Sequence, residues 1–237
     1  CSSATLQRQK RPTRKLSSMK LSKKTIALLS NFSDINQSII VKEGSTLSTI
    51  DVGSRIIGES VVEESFPCTF AIYDLPQFLK ALRLFQDPEL KFNTNYVSIS
   101  EGKDRLRYYF ADPNVVVSPP EQTIELPSED VKFQINERQL TKLIQAAGLL
   151  DLPDFSVVGT EGKIYITVGD NKIGSSNAWQ IELGQTDEEF TYNYKIEHIT
   201  IFPGTYDVTI SSQYISKWEN VNDNLYYLIA LEPPEDD

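Results

Sequence analysis

Apolar residues recur at Leu75, Phe78, Leu79 and Leu82, the i, i+3, i+4, i+7 spacing of one helix face, with Phe85 close to the same edge. Asp74 is placed to cap the first free amides, Gln77 three residues on fits a capping box, and Tyr73 and Phe78 fit a hydrophobic staple. Pro76 falls in the first turn, where proline is tolerated. The design recurs over 135–150, with Asn136 as cap, Gln139 three on, Ile135 and Leu140 as staple, and a stripe of Leu140, Leu143, Ile144 and Ala147. A third copy over 20–32 has Ser22 as cap, Leu21 and Ile26 as staple, and apolar Ile26, Leu29 and Phe32.

Between these helices the pattern is that of strands. SIIVKEG, RIIGESVVEE and FPCTFAIY precede the helix at Asp74, and NYVSISEGKDRLRYYF follows it as a hairpin turned at EGKD. VKFQI leads into the helix at Asn136, TEGKIYITVGDN makes a second glycine-turned hairpin, and AWQIEL, FTYNYK, TYDVTIS and LYYLIALE supply more strands. Residues 118–130 carry prolines and acids but little to bury, which marks a linker between a domain over 19–117 and another over 131–237. Both halves follow one plan: strand, helix, strands, a helix or helical turn (KIEHIT in the second half), more strands. A duplicated α+β unit is expected.

Charge changes the picture. Residues 1–18 hold five basic residues and no acid, and they precede Met19, the single methionine of the chain. We read them as a basic leader upstream of a body that starts at Met19; an Arg- and Ser-rich transit peptide or a basic arm for nucleic acid are the other readings. The rest of the chain carries 18 basic against 33 acidic residues. Such a body repels nucleic acid unless its cations are segregated, because affinity for duplex comes mainly from Lys and Arg neutralising phosphates. The helices segregate them: Lys20, Lys23 and Lys24 sit where the first begins, Lys80 and Arg83 lie opposite the stripe of the second, and Arg138 and Lys142 opposite that of the third. Lysines at a helix N-terminus oppose the dipole. Taken singly, each is also what a solvated face contains.

Candidate chemistry narrows the function to binding. The acidic pairs Glu63–Glu64, Glu129–Asp130 and Glu188–Glu189 lie in loop-like or exposed contexts with no partner base or metal spacing nearby, and neither a GxxxxGK[ST] loop nor a GxSxG turn occurs. Two cysteines, Cys1 and Cys68, and one histidine, His198, give no metal-ligand spacing. No apolar run reaches the roughly 20 residues that span a bilayer. We therefore expect no catalysis, no metal, no cofactor and no membrane span.

Five blocks, in order, resemble a family: MKLSKKTIALLSNFSDIN, FAIYDLPQFLKAL, EGKIYIT, PGTYDVTI and LYYLIALE. Together the chain resembles the sliding clamps of T-even-type bacteriophages, the processivity factors of phage DNA polymerases. The resemblance implies a DNA-clamp fold, with two similar domains per protomer, sheets outside, basic helices inside, and six domains in a homotrimeric ring around duplex DNA. It makes Lys20, Lys23, Lys24, Lys80, Arg83, Arg138 and Lys142 the DNA-facing set, joined by Lys195 and more weakly His198 of the late helix. It places Arg105, Arg107 and Tyr109 of one protomer against Trp179, Ile181 and Leu183 of the next. It puts a pocket for partner peptides at Val115, Val117, Ile229, Leu231 and Pro233. The implied partners are the replicative polymerase, a clamp-loader ATPase and late-transcription factors, in the cytoplasm of an infected bacterial host. The competing reading is a non-enzymatic, β-rich phage structural or assembly protein.

Overall fold

The structure is a computed structural model, and it describes residues 18–233. The basic leader therefore lies outside the described residues except for Ser18, which is already in a strand, one residue ahead of the expected start of the body. Elements in chain order are β1 (Ser18–Met19), α1 (Lys23–Ile35), β2 (Ile39–Val41), β3 (Gly44–Ile50), β4 (Ile56–Phe66), β5 (Phe70–Ile72) and α2 (Leu75–Leu82). Then come β6 (Glu89–Phe92), β7 (Tyr96–Glu101), β8 (Asp104–Tyr109), β9 (Val131–Ile135), α3 (Glu137–Leu149), β10 (Asp154–Thr160) and β11 (Lys163–Gly169). The chain continues through β12 (Trp179–Gln185), β13 (Phe190–Lys195), β14 (Tyr206–Ser211), β15 (Ile215–Asn220) and β16 (Leu225–Ala230).

The helix caps form as the sequence predicts. Ser22 Oγ accepts the Thr25 amide, Asp74 Oδ1 the Gln77 amide, and Asn136 and Gln139 complete a reciprocal capping box. All four stripe residues of α2 are buried. Three details differ. Tyr73 is 65% exposed, and it is Tyr108 of β8 that meets Phe78 edge-on at 5.1 Å. Ile144 is exposed, because α3 seats Leu140, Leu143 and Ala147 inward and leaves position 144 at the rim. The buried line of α1 runs through Thr25, Leu28, Leu29 and Phe32, with Ile26 only partly covered.

Each half owns an antiparallel four-stranded sheet, ordered β1-β6-β7-β8 in the first and β12-β11-β10-β13 in the second. The hairpin turns fall where expected: Gly102 has φ 58°, and Glu161 and Gly162 both have positive φ, as a two-residue hairpin turn requires. β1, β3, β6, β15 and all of β10 before Thr160 went unread in the sequence. GSTLSTI and ISKWEN interleave their buried positions with Ser, Thr and charge, and ELKF is only four residues long.

The halves are fused through backbone. A six-stranded sheet ordered β3-β4-β16-β15-β14-β9 takes two strands from the first half and four from the second, and β16 pairs with β4 from Leu225↔Ser60 to Ile229↔Ile56. α1 lies at this seam. Its Phe32 meets Tyr227 of β16 edge-on at 6.5 Å, and its Asn31 accepts the Tyr227 hydroxyl at 2.6 Å. Residues 118–130 form neither strand nor helix. The two domains are similar in plan and differ in one element: where the first carries α2, the second has a single 3₁₀ turn at Ile196–His198.

Candidate nucleic-acid interface

The candidate surface is built on the helices. α1 packs against α2 and against β3 and β4, whereas α3 packs on β11 and β12, so each helix commits one face to a sheet and leaves the other to solvent. On those outer faces Lys23, Lys80, Arg83, Arg138 and Lys142 are exposed, and no hydrogen bond or ion pair holds any of them among the described residues. Neither α1 nor α2 has an acid in its first turn, and α3 has one, Glu137. Unpaired cations on a strongly acidic chain are an electrostatic asymmetry suited to meeting phosphates.

The remaining members of the expected set are placed differently. Lys20 precedes α1 and forms an ion pair with Asp87, and Lys24 pairs with Asp223 across the seam. Both lysine side chains stay more than half exposed, so these carboxylates attenuate rather than bury the charge. Lys195 is not on a helix. It ends β13, and its ammonium lies 2.5 Å from the carboxylate of Asp154, a side chain only 4% exposed. The hydrogen bond that Lys195 donates to Asp154 raises the lysine pKa above its ordinary value, against a smaller effect of burial. Lys195 thus neutralises a buried acid, and we remove it from the DNA-facing set. His198 is largely buried, with its ring 3.7 Å from Glu197, and offers little surface.

One residue that shapes the start of α1 was missed. Glu64 of β4 accepts the Ser22 amide at 2.5 Å and the Thr25 hydroxyl at 2.6 Å. Burial works against its ionised form, but these hydrogen bonds outweigh it and hold the carboxyl below the usual glutamate range. The anion that the α1 dipole favours therefore comes from a strand, and the lysines at the helix start sit beside it rather than against an unmet positive pole. Nothing local in the sequence links Glu64 to Ser22, 42 positions apart.

The pocket and edge residues also sort by geometry. Ile229 and Leu231 are 0% and 3% exposed and face the core, so neither opens onto a surface groove. Strand alternation puts Tyr226 and Leu228 on the opposite face, where with Ile57 and Glu59 they line a cavity roofed by Pro119, Pro120, Gln122 and Ile124 of the linker. Val115, Val117 and Pro233 are exposed. Arg105, Arg107 and Tyr109 project from β8, and Trp179, Ile181 and Leu183 lie on β12; each strand is the edge of its sheet. Among the described residues no group of three His, Cys, Asp or Glu side chains is arranged to hold a metal ion, and no helix is long and apolar enough to cross a membrane.

Comparison with known proteins agrees with this layout. Residues 20–118 match the family model described as DNA polymerase processivity factor, and residues 132–233 match gp45 sliding clamp, C terminal. A sliding clamp of Vibrio phage KVP40 is 32% identical over 222 residues, covering 90% of this chain and 99% of that protein. A sliding clamp of Enterobacteria phage T4 is 31% identical over 225 residues, covering 90% and 97%. Among solved structures, a DNA polymerase III subunit beta sliding clamp from Bartonella birtlesii superposes with a TM-score of 0.70 at 12% identity, over 91% of this chain and 65% of that one. A PCNA from A. fulgidus, solved with the C-terminal region of FEN-1 bound, superposes with a TM-score of 0.66 at 11% identity, over 92% and 99%. The chain belongs to the sliding-clamp family of DNA polymerase processivity factors, a family of non-enzymatic proteins.

Proposed function

We propose that three copies of this chain close head to tail into a ring of six domains that encircles duplex DNA and tethers the replicative polymerase. The observation that carries the proposal is the set of five exposed, unpartnered cations on α1, α2 and α3 of an otherwise acidic chain. In the ring, Lys23, Lys80, Arg83, Arg138 and Lys142 face the phosphates, with Lys20 and Lys24 shared between phosphate and the carboxylates of Asp87 and Asp223. Contacts of this kind position a protein on DNA without reading sequence, which sliding requires. The acidic exterior opposes binding from outside.

The polymerase and other partners dock through apolar peptides in the cavity between the linker and β16, where Ile57, Ile124, Tyr226 and Leu228 supply the apolar lining. Support for a peptide mode comes from the A. fulgidus PCNA, which is solved with the C-terminal region of FEN-1 bound. A clamp-loader ATPase opens the ring, and the same ring serves as a mobile activator of late transcription, in the cytoplasm of the infected host; the support for these roles is the resemblance to T-even clamps.

The test is loader-dependent primer extension by the cognate polymerase, with and without this protein. Product length that rises severalfold with the protein supports the reading. Product length independent of it, from a polymerase and loader shown to work with another clamp, would sink it and favour a structural or assembly role.

A further inference from the structure

Not every cation at the start of α1 is bare. Lys20 and Lys24 are each held by one carboxylate, whereas Lys23 between them has no partner among the described residues. Both acids come from outside the helix: Asp87 from the turn after α2, and Asp223 from the turn between β15 and β16, across the seam. Each turn is pinned by further hydrogen bonds. The Gln86 and Asp87 amides donate to the Glu101 carboxylate at 3.1 and 2.8 Å, and the Asn222 and Asp223 amides donate to Asn220 Oδ1 at 3.0 and 3.1 Å. Neither Asp87 nor Asp223 offers its carboxylate to another donor among the described residues. The bond to Asp87 raises the Lys20 pKa above the ordinary lysine value, against a smaller effect of burial, and Glu89 and Glu101 add to the attraction. The outward cations of α2 and α3, namely Lys80, Arg83, Arg138 and Lys142, have no such counterpart among the described residues.

We propose that Asp87 and Asp223 are built-in counter-ions that set how tightly the α1 entrance holds the duplex, with Lys20 and Lys24 passing between carboxylate and phosphate as the ring moves. This rests on the ring reading and deepens it by assigning the regulation of the same surface. An exposed ion pair is weak, so a phosphate competes for the lysine on nearly even terms. The carboxylate stays within reach of the side chain. A lysine that leaves one phosphate therefore exchanges one anion for another instead of going bare until the next phosphate arrives. A fixed carboxylate also repels the phosphate that approaches it, which makes the contact shallower still. The bare cations of α2 and α3 supply the standing attraction, and the α1 entrance supplies contacts that are made and broken at little cost. Affinity for duplex falls with salt by a slope of about 0.9 for each phosphate neutralised, so Lys20 and Lys24 add less to that slope than two bare lysines would.

The experiment tracks single dye-labelled molecules of the full chain, incubated with a clamp-loader ATPase and ATP, on stretched linear duplex with blocked ends. The wild type is compared with Asp87→Asn combined with Asp223→Asn, and with a chain that adds Lys20→Gln and Lys24→Gln to these two. The asparagine variant should diffuse about three- to tenfold more slowly at low ionic strength, with the difference closing as salt rises. Adding the glutamines should restore at least the wild-type rate, which a purely structural role for the two acids would not produce. An asparagine variant that diffuses as fast as the wild type or faster would overturn the counter-ion role and leave the ring standing, and so would slowing that persists with the glutamines. A wild type that is never retained on the blocked duplex would overturn the ring and the counter-ions together. Should the double asparagine variant lose the wild-type molar mass or melting temperature, Asp87→Asn alone decides, because that side chain is 70% exposed. Slower diffusion of the single variant supports the counter-ion role, and an unchanged rate contradicts it.

Discussion

Gly58 of β4 lies opposite Tyr227 of β16 across the seam between the two domains, and a methyl group on its Cα would stand 2.9 Å from the tyrosine ring and 3.0 Å from Phe32. Three elements from two domains therefore close on a position that only hydrogen fits. The tyrosine hydroxyl continues the link, accepting the Phe202 amide at 3.1 Å while donating to Asn31. Gly58→Ala should destabilise the protomer by about 1–3 kcal/mol, the usual cost of forcing a methyl into a packed core. Urea titration followed by Trp218 fluorescence measures it, and an unchanged midpoint would show that the seam can open to admit the methyl.

Lys195 and Asp154 give a second prediction. Lys195→Met keeps the aliphatic stem but leaves a buried carboxylate whose remaining hydrogen bond is from the Asn171 amide at 2.8 Å. Breaking such a pair on one side should cost about 2–4 kcal/mol, the lower end reflecting the partial exposure of the lysine. Asp154→Asn with Lys195→Met should recover part of that loss in the same titration. An equal loss of loader-dependent processivity at unchanged stability would instead return Lys195 to the DNA-facing set.

Stability should fall steeply above pH 10. Burial raises the phenol pKa values of Tyr194, Tyr206 and Tyr227 well above the usual tyrosine range, and Tyr226 is pushed up to about 12. A group whose folded pKa is raised contributes stability that is complete below its unfolded pKa and disappears as pH rises towards the folded one. Lys195, raised by its bond to Asp154, acts in the same direction. Between pH 10 and 12 each fully shifted tyrosine removes about 1.4 kcal/mol per pH unit, so three of them remove roughly 4 kcal/mol per unit. Thermal melts at pH 8, 10 and 11 should show a small drop followed by a large one. A melting temperature flat to pH 11 would contradict the burial of these hydroxyls.

Replacing Lys80, Arg83, Arg138 and Lys142 by Ala should shorten loader-dependent extension products severalfold and make their dependence on salt shallower, while leaving molar mass and melting temperature unchanged. All four side chains are exposed and bonded to nothing among the described residues, so little stability is at stake. Control replacement of Lys132 and Lys217, which pair with Glu129 and Glu219, should leave extension unaffected. Unchanged product length in the fourfold variant would remove these residues from the DNA path.

Local physics was legible in the sequence. Asn136 with Gln139, Asp74 with Gln77, and the stripe Leu75, Phe78, Leu79, Leu82 depend on spacings of three and four residues, and each formed as read. Long-range relations were not. Glu64 capping α1, Asp154 claiming Lys195 and β16 pairing with β4 join residues distant in the chain whose types carry no mutual signal. The pocket shows the limit most plainly. Ile229 and Leu228 are adjacent aliphatics in one strand, and only the sheet decides that 229 enters the core while 228 meets the linker. The helix-face cations were legible because exposure there needs only a helix period, whereas Lys195 was placed on a helix and ends a strand.

The central claim is topological, and retention on DNA tests it most directly. The protein is incubated with a clamp-loader ATPase, ATP and a nicked circular duplex, the complex is separated from free protein by gel filtration at moderate salt, and half of the sample is then linearised with a restriction enzyme. A ring that encircles duplex stays with the circle and is lost from the linear molecule within the time of the experiment, unless the ends are blocked. Equal retention on circular and unblocked linear DNA would mean that the cations of α1, α2 and α3 hold the duplex by contact alone, and the protein would not be a ring around it.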